Sequence, residues 1–211
     1  MMRISDLLAG WQAVAASVSL AAVRFGGALM FVSAFLVGAD VIARKAMGWS
    51  LGGSDELSGY AFAIATSWSL AFALLQRANV RIDALYVRMP QRVTAVVDLL
   101  SLLSLGFFVG LLMWFAGSVL ADSVHFATKA NTPLATPLWL PQSLWLAGFL
   151  AFVFAWLPLV LRCALALAHG DAAAVNAMAG ARSQTEDASE EIASAHQRAE
   201  GMMAAERGPR S

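Results

Sequence analysis

Few side chains in this sequence could do chemistry, and their spacing excludes more than it supports. The histidines are His125, His169 and His196, and the one cysteine is Cys163. All three histidines fall outside the long apolar runs, which excludes haem ligation by histidine pairs inside a membrane. A lone cysteine allows no intramolecular disulfide, no multi-cysteine metal site and no quinone-linked disulfide exchange. HExxH, GxSxG and phosphate-binding glycine loops are absent from the sequence. What remains is acids and bases in small groups. They are Arg44, the pair Asp55 and Glu56, the basic patch Arg77, Arg81, Arg88 and Arg92 interrupted by Asp83, and Asp98 within an apolar run. These compose no catalytic, cofactor-binding or metal-ligating set, so the sequence reads as a non-enzyme without a cofactor. Residues of this kind, at the ends of apolar runs, set orientation and hold partners.

The elements that carry these charges are membrane helices. Of the 211 residues, 59% are hydrophobic and 13% charged, against roughly 25% charged in soluble domains. The formal net charge is zero, so no global field favours nucleic acid. Crossing a bilayer core takes about 20 apolar residues. Four stretches reach that length, at about 18–42, 57–75, 93–121 and 138–161. The expected fold is therefore an all-α integral membrane protein with four transmembrane helices in residues 18–168. Val37-Gly38-Ala39 imitates a signal-peptidase site, but the apolar region before it is too long for a cleaved leader, and an uncleaved first span is expected.

Lysine and arginine in the short flanks orient the spans. The amino-terminal flank carries Arg3 and Arg24, the second loop Arg77, Arg81, Arg88 and Arg92, and the carboxy-terminal flank Arg162, against Arg44, Lys45 and Lys129 on the other side. The bias places both termini and the second loop in the cytoplasm. Ile4, Leu7, Leu8, Trp11, Val14, Ala15 and Val18 follow the spacing of an amphipathic helix. Residues 1–17 thus read either as an interfacial helix or as a continuation of the first span. From His169 to Ser211 the apolar face is lost, and a flexible cytoplasmic tail is expected.

Inside the spans, Asp40 and Arg44 have the favourable i, i+4 order for a helical ion pair. Arg24 is expected near an interface, where its side chain can snorkel to water. Asp98 is expected to form a structural ion pair with Arg24, Arg77 or Arg92, the other reading being an ion-coupling group. Ala61, Ala65, Ser69 and Ala73 line one face of the second span, and Gly106, Gly110 and Gly117 one face of the third. Small residues of this kind let membrane helices approach closely, and packing within the bundle is the expected use.

Several ordered motifs resemble the DctQ family, the small permease subunits of tripartite ATP-independent periplasmic (TRAP) transporters. Val41-Ile42-Ala43-Arg44 through Gly48 is similar to the family's arginine and glycine turn after the first span. Asp55-Glu56-Leu57 with Tyr60 resembles its acidic opening of the second. Arg77, Asn79-Val80 and Asp83, then Leu85 and Pro90, occupy the family's arginine, histidine-hydrophobic and aspartate positions, with Asn79 where histidine is usual. Asn131-Thr132-Pro133 and Leu138-Trp139-Leu140-Pro141 resemble the segment before the fourth span. The tryptophan often found just before the acidic pair is missing, unless Trp49 serves.

The resemblance implies a bacterial inner-membrane scaffold subunit of a cation-coupled, sodium-driven importer. Its implied partners are a large DctM-like permease, a DctP-like periplasmic binding protein that delivers an organic acid, and membrane lipids. Arg44, Asp55, Glu56, Arg77, Asn79, Arg81, Asp83 and Asp98 are then candidate partner contacts or structural polar residues. The alternative is a stand-alone four-span transporter or channel using Asp98.

Overall fold

The computed structural model describes residues 4–50, 52–78, 89–180, 192 and 194–199. The chain divides into two units, Met1–Gly180 and Ala181–Ser211, and residues 194–199 of the second are helical. Among the described residues the first unit consists of α1 (Ile4–Met47), α2 (Ser54–Leu75), α3 (Gln91–His125), α4 (Trp139–Ala168) and the short α5 (Ala172–Ala179). The first four are each long and apolar enough to cross a membrane. The chain is an all-helical, multi-pass membrane protein. In lipid the backbone must satisfy itself, which a helix does and an open strand does not.

Helix ends are closed by one recurring device. After α2, Arg77 takes a left-handed conformation (φ 53°) while its N–H reaches the Leu74 carbonyl and that of Ala78 reaches Ala73. Ala127 (φ 47°) and Thr128 do the same after α3, and Gly170 (φ 77°) and Asp171 after α4. These are Schellman motifs, which pair the otherwise orphaned carbonyls of a last helical turn. Only glycine adopts that conformation without steric cost. After α4, Asp171 turns the chain at once into α5, its carboxylate accepting from the Ala174 N–H at 2.9 Å.

α4 is the centre of the bundle and packs against α1, α2, α3 and α5; α3 makes its extensive contacts with α4 and α5. The amphipathic segment and the first span form one unbroken helix of 44 residues, about 66 Å long. The inward positions of α1 run Leu8, Gln12, Ala15, Ser19, Ala22, Gly26, Leu29, Ser33, Leu36 and Asp40 in steps of four and three, while Leu7, Val14 and Val18 are exposed. In α3 the buried stripe is Ala95, Leu102, Val109, Ala116 and Ser123, one residue per heptad. This is the narrow seam of left-handed helix packing. The outer face of α3, with Phe107, Phe108, Trp114 and Phe115, is exposed.

Glycine and tryptophan set the register between the helices. Gly26 of α1 lies so close to α2 that a Cβ there would stand 3.1 Å from the Ala65 Cα. A Cβ on Gly148 of α4 would stand 2.7 Å from the Ser67 backbone. Trp68 donates its indole N–H to the Leu144 carbonyl at 2.7 Å, and Trp156 donates to the Leu102 carbonyl at 2.8 Å. In both cases the residue one turn after the accepting carbonyl is glycine, Gly148 or Gly106. With no side chain covering it, the carbonyl is open to an indole from the neighbouring helix.

Candidate functional site

The polar residues gather in layers at the two ends of the bundle. At the end holding the α1–α2 and α3–α4 connections, Asp40 is 1% exposed and accepts hydrogen bonds from three side chains. Arg44 Nη2 lies at 2.5 Å, Ser54 Oγ at 2.9 Å and Ser50 Oγ at 3.1 Å. Ser50 also accepts the Gly52 N–H at 3.3 Å. The expected Asp40–Arg44 ion pair is thus present, and it is the core of a latch that ties α1, the turn after it and the start of α2. A buried carboxylate is tolerable only when charge-paired and fully hydrogen-bonded. Arg44 keeps its side chain 58% exposed, so the latch presents a positive charge at the surface.

The adjacent acidic pair divides its roles. Glu56 accepts from the Tyr60 hydroxyl at 2.9 Å and from the Thr132 hydroxyl. It thereby joins α2 to the α3–α4 connection, which folds on itself through the Lys129–Pro137 bridge. Gly53 leaves room for Leu134 of the same connection. Asp55, one residue earlier, is exposed. One acid is consumed by the fold and its neighbour faces outward.

At the opposite end, Asp98 is fully buried two turns into α3. Cys163 of α4, also buried, lies within electrostatic reach of Asp98 and Arg162. Arg162 donates to Gln12 of α1. Asn176 of α5 donates to Thr94 Oγ1 at 3.0 Å and to the Gln91 carbonyl at 3.5 Å, so α5 covers the start of α3. Arg24 and Arg92, two of the bases expected near Asp98, are exposed. Arg77 is half-buried at the α2 cap. Asn79, Arg81 and Asp83 lie outside the described residues.

Sequence reasoning singled out Asp40, Arg44 and Glu56 but missed Ser50 and Ser54 as partners, and also Gly26, Gly148 and Asn176. The signal for the glycines was available. They sit at heptad spacing from other small residues, or one turn after a leucine. The expected Gly106–Gly110–Gly117 face divides in the structure. A Cβ on Gly106 would overlap Trp156, whereas those on Gly110 and Gly117 would meet nothing within 4 Å. The latter two line an open groove of about 430 Å³ with Met113, Trp114 and Ser118. A second groove, about 330 Å³, lies between α1, α2 and α4 and is lined chiefly by aliphatic residues such as Leu29, Leu36, Ile64 and Leu144. Such linings suit acyl chains or helices rather than a polar solute. No group of three or more potential metal ligands occurs among the described residues.

Four apolar helices, polar layers engaged in interhelical ties and apolar grooves define a multi-pass membrane helical bundle. Residues 33–167, more than half the chain, match the family described as tripartite ATP-independent periplasmic transporters, DctQ component. The protein belongs to that family, a family of transporter components and not of enzymes. No curated protein and no solved structure matches the chain.

Proposed function

We propose that this chain is the scaffolding small subunit of a TRAP-type importer in the bacterial inner membrane. It holds a large DctM-like permease, which carries the substrate and sodium sites, and a DctP-like periplasmic protein delivers an organic acid to the pair. Both termini face the cytoplasm, so the latch end, with Arg44 and Asp55 exposed, faces the periplasm. The observation that carries this reading is the DctQ match over residues 33–167, in a bundle whose inward polar groups tie helix to helix. Arg44, Asp55 and Arg77, with Asn79, Arg81 and Asp83, are the proposed contact residues; Glu56 and Asp98 act structurally.

Coexpression with the large permease tests this. The two chains should copurify, and uptake in proteoliposomes should require both together with the binding protein. Transport by this chain alone would overturn the reading. The burial of Asp98 within α3 favours one competing reading, a stand-alone transporter coupled through that acid. Asp98→Asn separates them: lost transport with intact assembly supports the competitor, and lost assembly supports the scaffold.

A further inference from the structure

Arg24 is the one charged residue of α1 between Asp6 and Asp40. The sequence alone suggests that it lies near a membrane boundary, whereas its packing neighbours belong to the middle of α2. Gly26, two residues on, is the point where α1 touches Ala65. Phe25 stacks against Trp68 with ring centroids 5.1 Å apart, and Trp68 in turn binds the Leu144 carbonyl. Ala65 is one residue from the midpoint of the uncharged run Leu57–Leu75. Arg24 stands about 3 Å along the axis from Gly26, at the middle of the apolar depth. The polar layers are remote: Asp40 is sixteen residues away and Gln12 twelve, about 24 Å and 18 Å along the helix.

From that depth the guanidinium covers only about half the distance to either surface by snorkelling. Ionisable residues inside a membrane face protein or water rather than lipid. Arg24, however, points out of this chain: it is exposed and forms no hydrogen bond or ion pair with the described residues. The face around it mixes small residues with two bulky ones, Leu20 and Phe31, both exposed. Ser17, Ala21, Gly27 and Ala28 are all exposed at helical spacing from Arg24, and a Cβ on Gly27 would meet nothing within 4 Å. Small side chains flanking a charge let a second helix approach closely enough to pair with it.

We propose that this face of α1 seats a transmembrane helix of the large permease that presents a carboxylate at mid-depth, paired with Arg24. The inference rests on the subunit reading above. A second copy of this chain is a poor fit. A two-fold contact would set Arg24 against itself, and the one acid well inside a span, Asp98, is buried near one end.

The test uses the coexpressed, tagged complex. The photocrosslinker p-benzoylphenylalanine in place of Ala28 should capture the large permease. Arg24→Leu should reduce copurified permease about tenfold, with Arg24→Lys retaining most of it. Arg24→Leu should leave the melting temperature of this chain alone in detergent no lower, because Arg24 has no internal partner to lose. Arg24→Glu should be rescued by an acid-to-arginine change in the crosslinked helix. Unchanged copurification with Arg24→Leu, or crosslinks from position 28 to lipid or to a second copy, overturns the pairing while leaving the subunit role intact. A wild-type preparation that brings down no large permease overturns both.

Discussion

Trp156 occupies the space that Gly106 leaves empty. Its indole donates to the Leu102 carbonyl at 2.8 Å, one turn before the glycine. A side chain at position 106 would overlap the ring. This contact aligns α3 with α4; between α2 and α4, Trp68 donates to the Leu144 carbonyl and Ser67 packs against Gly148. Lipid supplies little hydrophobic drive for helix association, so close packing and interhelical hydrogen bonds set the register.

Gly106→Val should therefore destabilise the chain by about 1–3 kcal/mol through overpacking. Trp156→Phe alone should cost about 1 kcal/mol for the lost hydrogen bond. Gly106→Ala combined with Trp156→Leu should be less harmful than the sum of the two. Thermal unfolding in detergent, arranged as a double-mutant cycle, measures the coupling. Gly110→Ala and Gly117→Ala serve as controls and should be neutral or stabilising, since their positions are open and alanine is the better helix former.

Asp40→Ala should cost about 1.5–3 kcal/mol, because it strands the buried Ser54 hydroxyl and removes the acid of the mostly exposed Arg44. Ser54→Ala should cost about 1 kcal/mol. Chemical unfolding of the purified chain checks the order. Equal effects from the two substitutions would show that the latch is not centred on Asp40.

Glu56→Gln should loosen the α3–α4 connection without unfolding the bundle, because Glu56 ties that connection to α2 through Thr132. Hydrogen exchange at residues 128–138 should accelerate while the interior of α4 stays protected. Asp55→Asn should leave that exchange unchanged, since Asp55 is exposed.

Arg77 holds a left-handed conformation that costs a non-glycine residue about 1–2 kcal/mol. Arg77→Gly should then keep the α2 cap while weakening association with the permease, its melting temperature reporting the relieved strain against the loss of the side chain's own contacts. Ala127→Gly relieves the same strain at the α3 cap and should stabilise without affecting association. A fall in both stability and association for Arg77→Gly would assign Arg77 a structural role instead.

The class of the protein follows from its amino-acid sequence. Four apolar runs of sufficient length, separated by charge, admit only membrane-spanning helices, and the Asp40–Arg44 pair and Glu56 stood out by spacing and charge. The sequence did not show which face of each helix turns inward. Leu7, Leu8, Val14, Ala15 and Val18 share one amphipathic face, yet only Leu8 and Ala15 of these are buried. The same ambiguity divides Gly106 from Gly110 and leaves Arg24 on an exposed face. The physical reason is the solvent. Where lipid is as apolar as leucine, hydrophobicity no longer separates inside from outside. The choice then falls to close backbone approach and hydrogen bonds between helices, and only the tertiary structure fixes those.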